Sequence, residues 1–164
     1  LIVTEKLIFR IGTPADIEPV MQMAKEACDE QAIFLSSIEK IREINVPALR
    51  CEKGIAGVLC TKEGEIVGAT VLRVVEVWYS EQQILEEAFI FIKPEYRTAK
   101  GGWARKMCEF SKKMSEDLGI PLIAGIVNNI RTEAKIRLYE RQFGAPNGVF
   151  FYYNAKAGVD QRHV

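Results

Sequence analysis

Ile90-Phe-Ile-Lys-Pro-Glu-Tyr-Arg-Thr-Ala-Lys-Gly-Gly-Trp-Ala104 passes from an apolar run, through a short turn, into the start of a helix. Its first portion, within Ala88-Phe-Ile-Phe-Ile92, is apolar on both faces and suits a strand in the middle of a sheet. Free amides at a helix N-terminus form an anion site, and glycine lets a phosphate approach the backbone closely. Gly101 and Gly102 supply that access, and Arg97 and Lys100 add positive charge. A pyrophosphate is the natural occupant of such a turn. Two glycines before a helix also make an ordinary turn, so the residues alone leave both readings open.

Upstream, residues 57–62 and 65–75 are β-rich runs flanking Glu63-Gly64, a hairpin signal. Residues 82–92 read as the next strand, which makes an antiparallel meander of three. Further back, residues 7–11 read as a short strand. It runs into a helix start with Thr13 as N-cap, Pro14 at the first position and Asp16 in the first turn. Ile17, Val20, Met21, Ala24 and Cys28 then recur at helical spacing to about Glu30. A second helix covers residues 37–45, with Ile38, Ile41 and Ile44, and Pro47 is expected to stop it.

Downstream, Trp103, Met107, Phe110, Met114 and Leu118 form one helical stripe, with Gly119 as the stop. Residues 120–127 read as a short buried strand. Thr132 caps a further helix carrying Ile136, Tyr139 and Phe143, ended by Gly144 and Pro146. Val149-Phe-Phe-Tyr-Tyr153 reads as a last strand, and residues 155–164 as a loose tail. The order is β-α-α-β-β-β-α-β-α-β. It predicts a mixed α/β fold: a mostly antiparallel sheet flanked by helices, in one domain over residues 1–154.

Composition narrows the function classes. Lys plus Arg equals Asp plus Glu, 22 against 22, so no global field draws nucleic acid or an anionic membrane. Cys28, Cys51, Cys60 and Cys108 are widely spaced and the chain has one histidine, so no metal-site spacing is present. The thiols read as reduced, in a cytoplasmic protein. Residues 1–10 are interrupted by Thr4, Glu5 and Lys6 and read as neither signal peptide nor membrane span. Cys108 has no histidine partner in prospect and reads as packing. Glu109 is placed for an i,i+4 pair with Lys113.

The segment quoted first resembles the GNAT superfamily of acyl-CoA-dependent N-acetyltransferases, whose members carry V-x-P-x-x-R/Q-x-x-G-x-G/A from the fourth strand into the third helix. Here the run is Ile92-Lys-Pro94-Glu-Tyr-Arg97-Thr-Ala-Lys100-Gly-Gly102, with Pro94, Arg97 and Gly102 matching and Lys100 in place of the first glycine. Leu138-Tyr139-Glu140-Arg141-Gln142-Phe143-Gly144 is similar to the family's L-Y-E-K-L-G-F segment, with its last two residues reversed. The element order also matches, from Leu7 to Tyr153.

The resemblance implies a GNAT-like fold and a cofactor, acetyl-CoA. The turn and helix start, Arg97, Thr98, Ala99, Lys100, Gly101, Gly102 and Trp103, would hold its pyrophosphate. The backbone of Ile90 and Ile92 would pair with the pantetheine arm like an added strand. The fourth and fifth strands would splay to admit it, and a strand amide would stabilise the oxyanion. Tyr139 matches the tyrosine that protonates the departing thiolate, although it also lies on the apolar stripe and would pack there. Glu86 and Glu87 stand where family members place a base for the amine. They would point to opposite faces of the strand, and a solvated strand edge is the alternative for both.

The reading is an N-acetyltransferase moving an acetyl group from acetyl-CoA to a primary amine by direct attack in a ternary complex. No activated nucleophile, and hence no acyl-enzyme, is in view. An acyl-CoA-binding module without catalysis is the alternative. A plain nucleotide-binding domain is weaker, since G-x-x-x-x-G-K-[ST] is absent. The acceptor, a small-molecule or peptide amine, would meet residues 15–48 and the loop near Tyr79. Asn128 and Asn129 would cap a turn or reach the pantetheine, and His163 in the tail has no role. A homodimer follows by family analogy.

Overall fold

Thr13 and Asp16 start the first helical segment, and an ion pair reinforces them. The Asp16 carboxylate accepts from the Thr13 backbone N–H at 2.8 Å and from its hydroxyl at 3.1 Å. It also takes two guanidinium N–H groups of Arg10, both at 2.8 Å. Arg10 above all holds this buried carboxyl below the usual carboxylate range, with the Thr13 hydrogen bonds adding to the effect. Strand and helix are thus fastened at the first turn of the fold.

The computed structural model describes residues 6–31, 33–97, 102–126, 132–151 and 153. Its strands are β1 (Ile8–Ile11), β2 (Gly54–Cys60), β3 (Ile66–Glu76), β4 (Gln83–Ile92) and β5 (Leu122–Ile123). The helices are α1 (Ile17–Gln31), α2 (Ile38–Leu49), α3 (Trp103–Leu118) and α4 (Thr132–Phe143), with short 3-10 turns at Pro14–Asp16 and Pro94–Tyr96. The strands form one sheet in the order β1-β2-β3-β4-β5. The first four are antiparallel, and β5 joins β4 in parallel. This is the mixed α/β fold expected from the element order.

Two cores sandwich the sheet. On one face Val20, Met23 and Ala27 of α1 and Ala48 and Leu49 of α2 pack on Ala56, Val58, Ala69, Val71 and Phe91. On the other, Met107 of α3 packs with Leu7, Leu59, Val67 and Ile92. A Cβ at Gly68 would meet Met107 Cε at 2.9 Å and the Phe91 carbonyl oxygen at 3.2 Å. Glycine there lets α3 close on the sheet.

Four sequence expectations are corrected. The short buried strand read over residues 120–127 is reduced, among the described residues, to the two of β5, and Ile123 is exposed. Pro47 does not stop α2, which runs through it to Leu49. A proline costs a helix the bond its own N–H would make, and the last turn still closes from the Arg50 N–H to the Val46 carbonyl at 3.1 Å. Residues 149–151 and 153 form no strand, and their apolar side chains are strongly exposed. A strand needs an edge to pair with, and β5 is only two residues long. Glu109 pairs with Arg105 at 3.4 Å, and Lys113 pairs with Asp117 at 2.9 Å. The tail at residues 155–164, with His163, lies outside the described residues.

Replacing Asp16 with Asn is expected to cost about 2–3 kcal/mol in urea unfolding at pH 7, because Arg10 stays charged beside a neutral partner. A carboxyl with a lowered folded pKa contributes its full stability above its unfolded pKa of about 4, and that contribution is lost as pH falls through the folded value. The gap between variant and wild type should therefore shrink below about pH 4. A gap that stays constant down to pH 2 would remove the ion pair as the cause.

Candidate active site

The parallel pairing of β4 with β5 is confined to Leu85↔Leu122 and Glu86↔Ile123. Beyond it β4 runs on to Ile92, paired with β3 on one side and with no strand on the β5 side among the described residues. The Lys93 N–H donates to Val67 across the sheet at 2.9 Å. Backbone groups alternate along a strand, so those of Ile90 and Ile92 face the open side. Two residues expected to offer their backbone to a ligand therefore lie on an edge with no paired strand among the described residues, although the Ile92 carbonyl on it accepts from Arg97.

A bulge in β4 sorts the side chains. Leu72 pairs with Glu87 and Val71 with Phe89, so Ala88 is the extra residue. Before the bulge Glu87 faces the α3–α4 side. After it Ile90 and Ile92 take that side, while Phe89 and Phe91 face α1 and α2. Glu86 is on the opposite face from Glu87, half-buried, in an ion pair with Arg73 directly across the sheet. The two candidate carboxylates thus serve different sides of the sheet.

Glu87 and Tyr139 are brought together. The Tyr139 hydroxyl on α4 donates to Glu87 Oε1, and both side chains are buried. Glu87 Oε2 has no hydrogen-bond partner among the described residues. Burial pushes Glu87 up to about 7, opposed by the Tyr139 hydrogen bond and by Lys135. Tyr139 is held well above the ordinary tyrosine range, first by burial and then by the charge of Glu87, so it stays protonated at neutral pH. Phe143 closes on Tyr139 edge-to-face at 5.2 Å.

Arg97 is drawn into the protein. Its Nε donates to the Ile92 carbonyl at 2.5 Å, and its terminal nitrogens donate to both carboxylate oxygens of Glu30 at 2.7 and 3.1 Å. The guanidinium also lies 4.8 Å from the Phe91 ring centre. This fastens the end of α1 to the turn that follows β4. Lys135, one helical turn before Tyr139, lies within electrostatic reach of Glu87, Glu30 and Arg97, and burial holds its ammonium below the ordinary lysine range. The sequence reading offered Glu30 only as a carboxylate that could attract a cationic amine, not as the partner of Arg97, and it missed Lys135. The i,i+4 spacing of Lys135 and Tyr139 was the signal for the second.

At the turn itself, Gly102 has φ 63°, a left-handed conformation that favours glycine, and its carbonyl accepts the first helical bond from Lys106 at 3.0 Å. Trp103 is half-buried against Met107 and Ile92, with the Lys106 ammonium 4.3 Å from its ring centre. Thr98, Ala99, Lys100 and Gly101 lie outside the described residues, as do Asn128 and Asn129. In the β3–β4 connection Trp78 and Tyr79 are highly exposed in an edge-to-face pair at 5.3 Å. A shallow hollow lined by Cys51, Lys53, Gln83 and Leu118 lies at the other end of the sheet and shares no residue with this site.

No protein-family model and no curated protein sequence matches the chain. Solved structures do. A possible acetyltransferase from Clostridium difficile 630 aligns over 93% of this chain and 99% of its own, at TM-score 0.66 and 14% identity. An aminoglycoside acetyltransferase, meta-AAC0020, from an uncultured soil metagenomic sample in complex with sisomicin aligns over 92% and 97%, at TM-score 0.63 and 17% identity. A predicted acetyltransferase from Clostridium acetobutylicum with acetyl-CoA aligns over 91% and 96%, at TM-score 0.70 and 10% identity. The chain has the acetyltransferase fold that its resemblance to the GNAT superfamily implied.

Cys108 is fully buried, and burial first, then the charge of Glu87, pushes its thiol up to about 12. Cys60 is buried as well, whereas Cys51 is exposed. A disulfide exchange reagent such as Ellman's should therefore react promptly at Cys51, and at Cys60 and Cys108 only after denaturation. Fast modification of Cys108 in the folded protein would contradict the packing described for α3.

Proposed function

We propose that this protein is an acetyltransferase that uses acetyl-CoA to acetylate a primary amine by direct attack. The observation that carries the reading is the free edge of β4 at Ile90 and Ile92, which leads from the turn before α3 to the buried Tyr139. Similarity to a structure holding acetyl-CoA supports the cofactor, and similarity to an aminoglycoside acetyltransferase supports a small-molecule amine. The domain covers residues 1–154, and free thiols fit a cytoplasmic location.

In this reading the pantetheine amides pair with the backbone of Ile90 and Ile92 as an added strand. The pyrophosphate would be held by the amides of residues 98–103, to which Lys100 would add positive charge. Arg97 braces that turn through Glu30 and Ile92. A β4 amide at the bulge polarises the thioester carbonyl. One of the two carboxylates beside the bulge, Glu86 or Glu87, takes the proton of the amine, directly or through water. Tyr139 donates its proton to the sulfur as the carbon–sulfur bond breaks. The alternative, an acyl-CoA-binding module without turnover, has in its favour that the Tyr139 proton is already engaged by Glu87.

Calorimetric titration with acetyl-CoA, with ATP and NADH as controls, tests the cofactor. Selective acetyl-CoA binding is expected. Equal binding of all three, or of none, would end the proposal, and binding with no turnover of a broad amine panel would favour the recognition module. Tyr139→Phe should lower kcat on the order of 10²-fold and leave acetyl-CoA affinity within about twofold. Unchanged kcat would remove Tyr139 as the acid. Gly102→Asp adds bulk, strain and negative charge at the turn, and should weaken acetyl-CoA binding by about tenfold or more. Wild-type affinity in the folded variant would move the pyrophosphate elsewhere.

A further inference from the structure

We propose that Glu87 is the proton store behind Tyr139, acting in its carboxylic acid form on the sulfur side of the reaction and not as the base for the amine; this rests on the acetyl-transfer reading above. A phenol has one O–H to give. With Glu87 ionised, that O–H is held by Oε1 and the departing sulfur receives nothing. With Glu87 protonated, the carboxyl donates to the phenol oxygen and the phenol O–H is free to turn to the sulfur. That proton sits on Oε1, the oxygen that meets the phenol, while Oε2, buried and unpartnered among the described residues, offers the ionised form no second donor.

The surroundings of Glu87 make both forms accessible. Tyr139 and Lys135 face it from α4, Cys108 from α3, and Leu72 lies directly across on β3. Cys108 stays a neutral thiol at physiological pH. Lys135 and the Tyr139 hydrogen bond favour the carboxylate, while burial favours the acid and outweighs them, which places the group at about 7. Strand alternation sets this carboxyl on the opposite face from Glu86, and the Ala88 bulge puts it on the same face as Ile90 and Ile92; Glu86 is the carboxylate left to serve the amine.

The step balances. The amine nitrogen bonds to the acetyl carbon, and the carbon–sulfur bond breaks with its electron pair on sulfur. The Tyr139 proton passes to that sulfur and the Glu87 proton to the phenolate oxygen. The nitrogen's surplus proton leaves to solvent by way of Glu86 or water, and Glu87 regains one from solvent before the next turnover.

Two readouts test this, one without any substrate. In protein carrying 13C at the glutamate side-chain carboxyls, one glutamate should titrate near pH 7, vanish in Glu87→Gln, and titrate higher in Tyr139→Phe, which removes a donor to the ionised form. Only ordinary carboxylate titrations, or no change in Tyr139→Phe, would overturn the pairing. In acetyl-CoA-dependent thiol release, wild-type kcat should fall as pH rises through about 7, because the acid form is consumed. Glu87→Gln can hold the phenol but has no proton to pass on; it should lose that alkaline limb and drop on the order of 10²-fold in kcat with KM for acetyl-CoA unchanged. A wild-type rate and pH profile in Glu87→Gln overturns the proposal. Should that variant fail to fold by circular dichroism, a wild-type kcat with no alkaline limb near 7 overturns it equally. A neutral glutamate titration with no turnover of any amine would instead sink the acetyl-transfer reading, and the proton store with it, while leaving the pairing itself intact.

Discussion

The structure turns on the early parting of β4 and β5. Two paired residues hold the strands together at Leu85 and Glu86, and β4 then continues with only β3 beside it among the described residues. An unpaired strand edge is a row of donors and acceptors seeking a partner. Here one of its carbonyls, that of Ile92, is taken by Arg97, which also clamps Glu30 at the end of α1. The open edge lies between a helix start on one side and a buried phenol on the other, and each proposed role depends on that opening.

The second constraint is the bulge at Ala88. By adding one residue it exchanges the faces of β4, so that Glu87 and Ile90 share a side although their spacing is odd. Without it, a strand that places Glu87 toward Tyr139 would turn Ile90 and Ile92 into the α1–α2 core, where Phe89 and Phe91 now pack. The bulge lets one strand carry a carboxyl toward Tyr139, a carboxyl toward Arg73 on the other face and apolar residues for both cores. Its extra backbone unit also supplies an amide that the ladder to β3 does not require.

Much of this was legible in the residues. The meander followed from β-rich runs around Glu63-Gly64, and α3 from its apolar stripe and Gly119, which adopts the left-handed conformation of a helix stop. Thr13, Pro14 and Asp16 announced a helix start, though not that Arg10 would reach back to Asp16, since that contact depends on how β1 turns. Pro47 misled because a proline's effect depends on whether its missing bond falls where the helix is already ending. Val149 to Tyr153 looked like a strand, but strand formation is a property of the pair, and β5 offers only a two-residue edge. Glu86 and Glu87 were seen as a couple on opposite faces; which one met Tyr139 was fixed by a bulge that no residue type signals. Arg97 read as a free cation because Glu30 lies 67 residues away in sequence.

The claim on which the account rests is that acetyl-CoA adds itself to the open edge of β4. Backbone amide NMR of 15N-labelled protein, titrated with acetyl-CoA, addresses that edge residue by residue. The account predicts that the amides of Ile90 and Ile92 shift with the ligand, together with those of Gly102 and Trp103, and that their exchange with solvent slows as the edge is covered. Saturable binding that leaves Ile90 and Ile92 unmoved while other surfaces respond would contradict it.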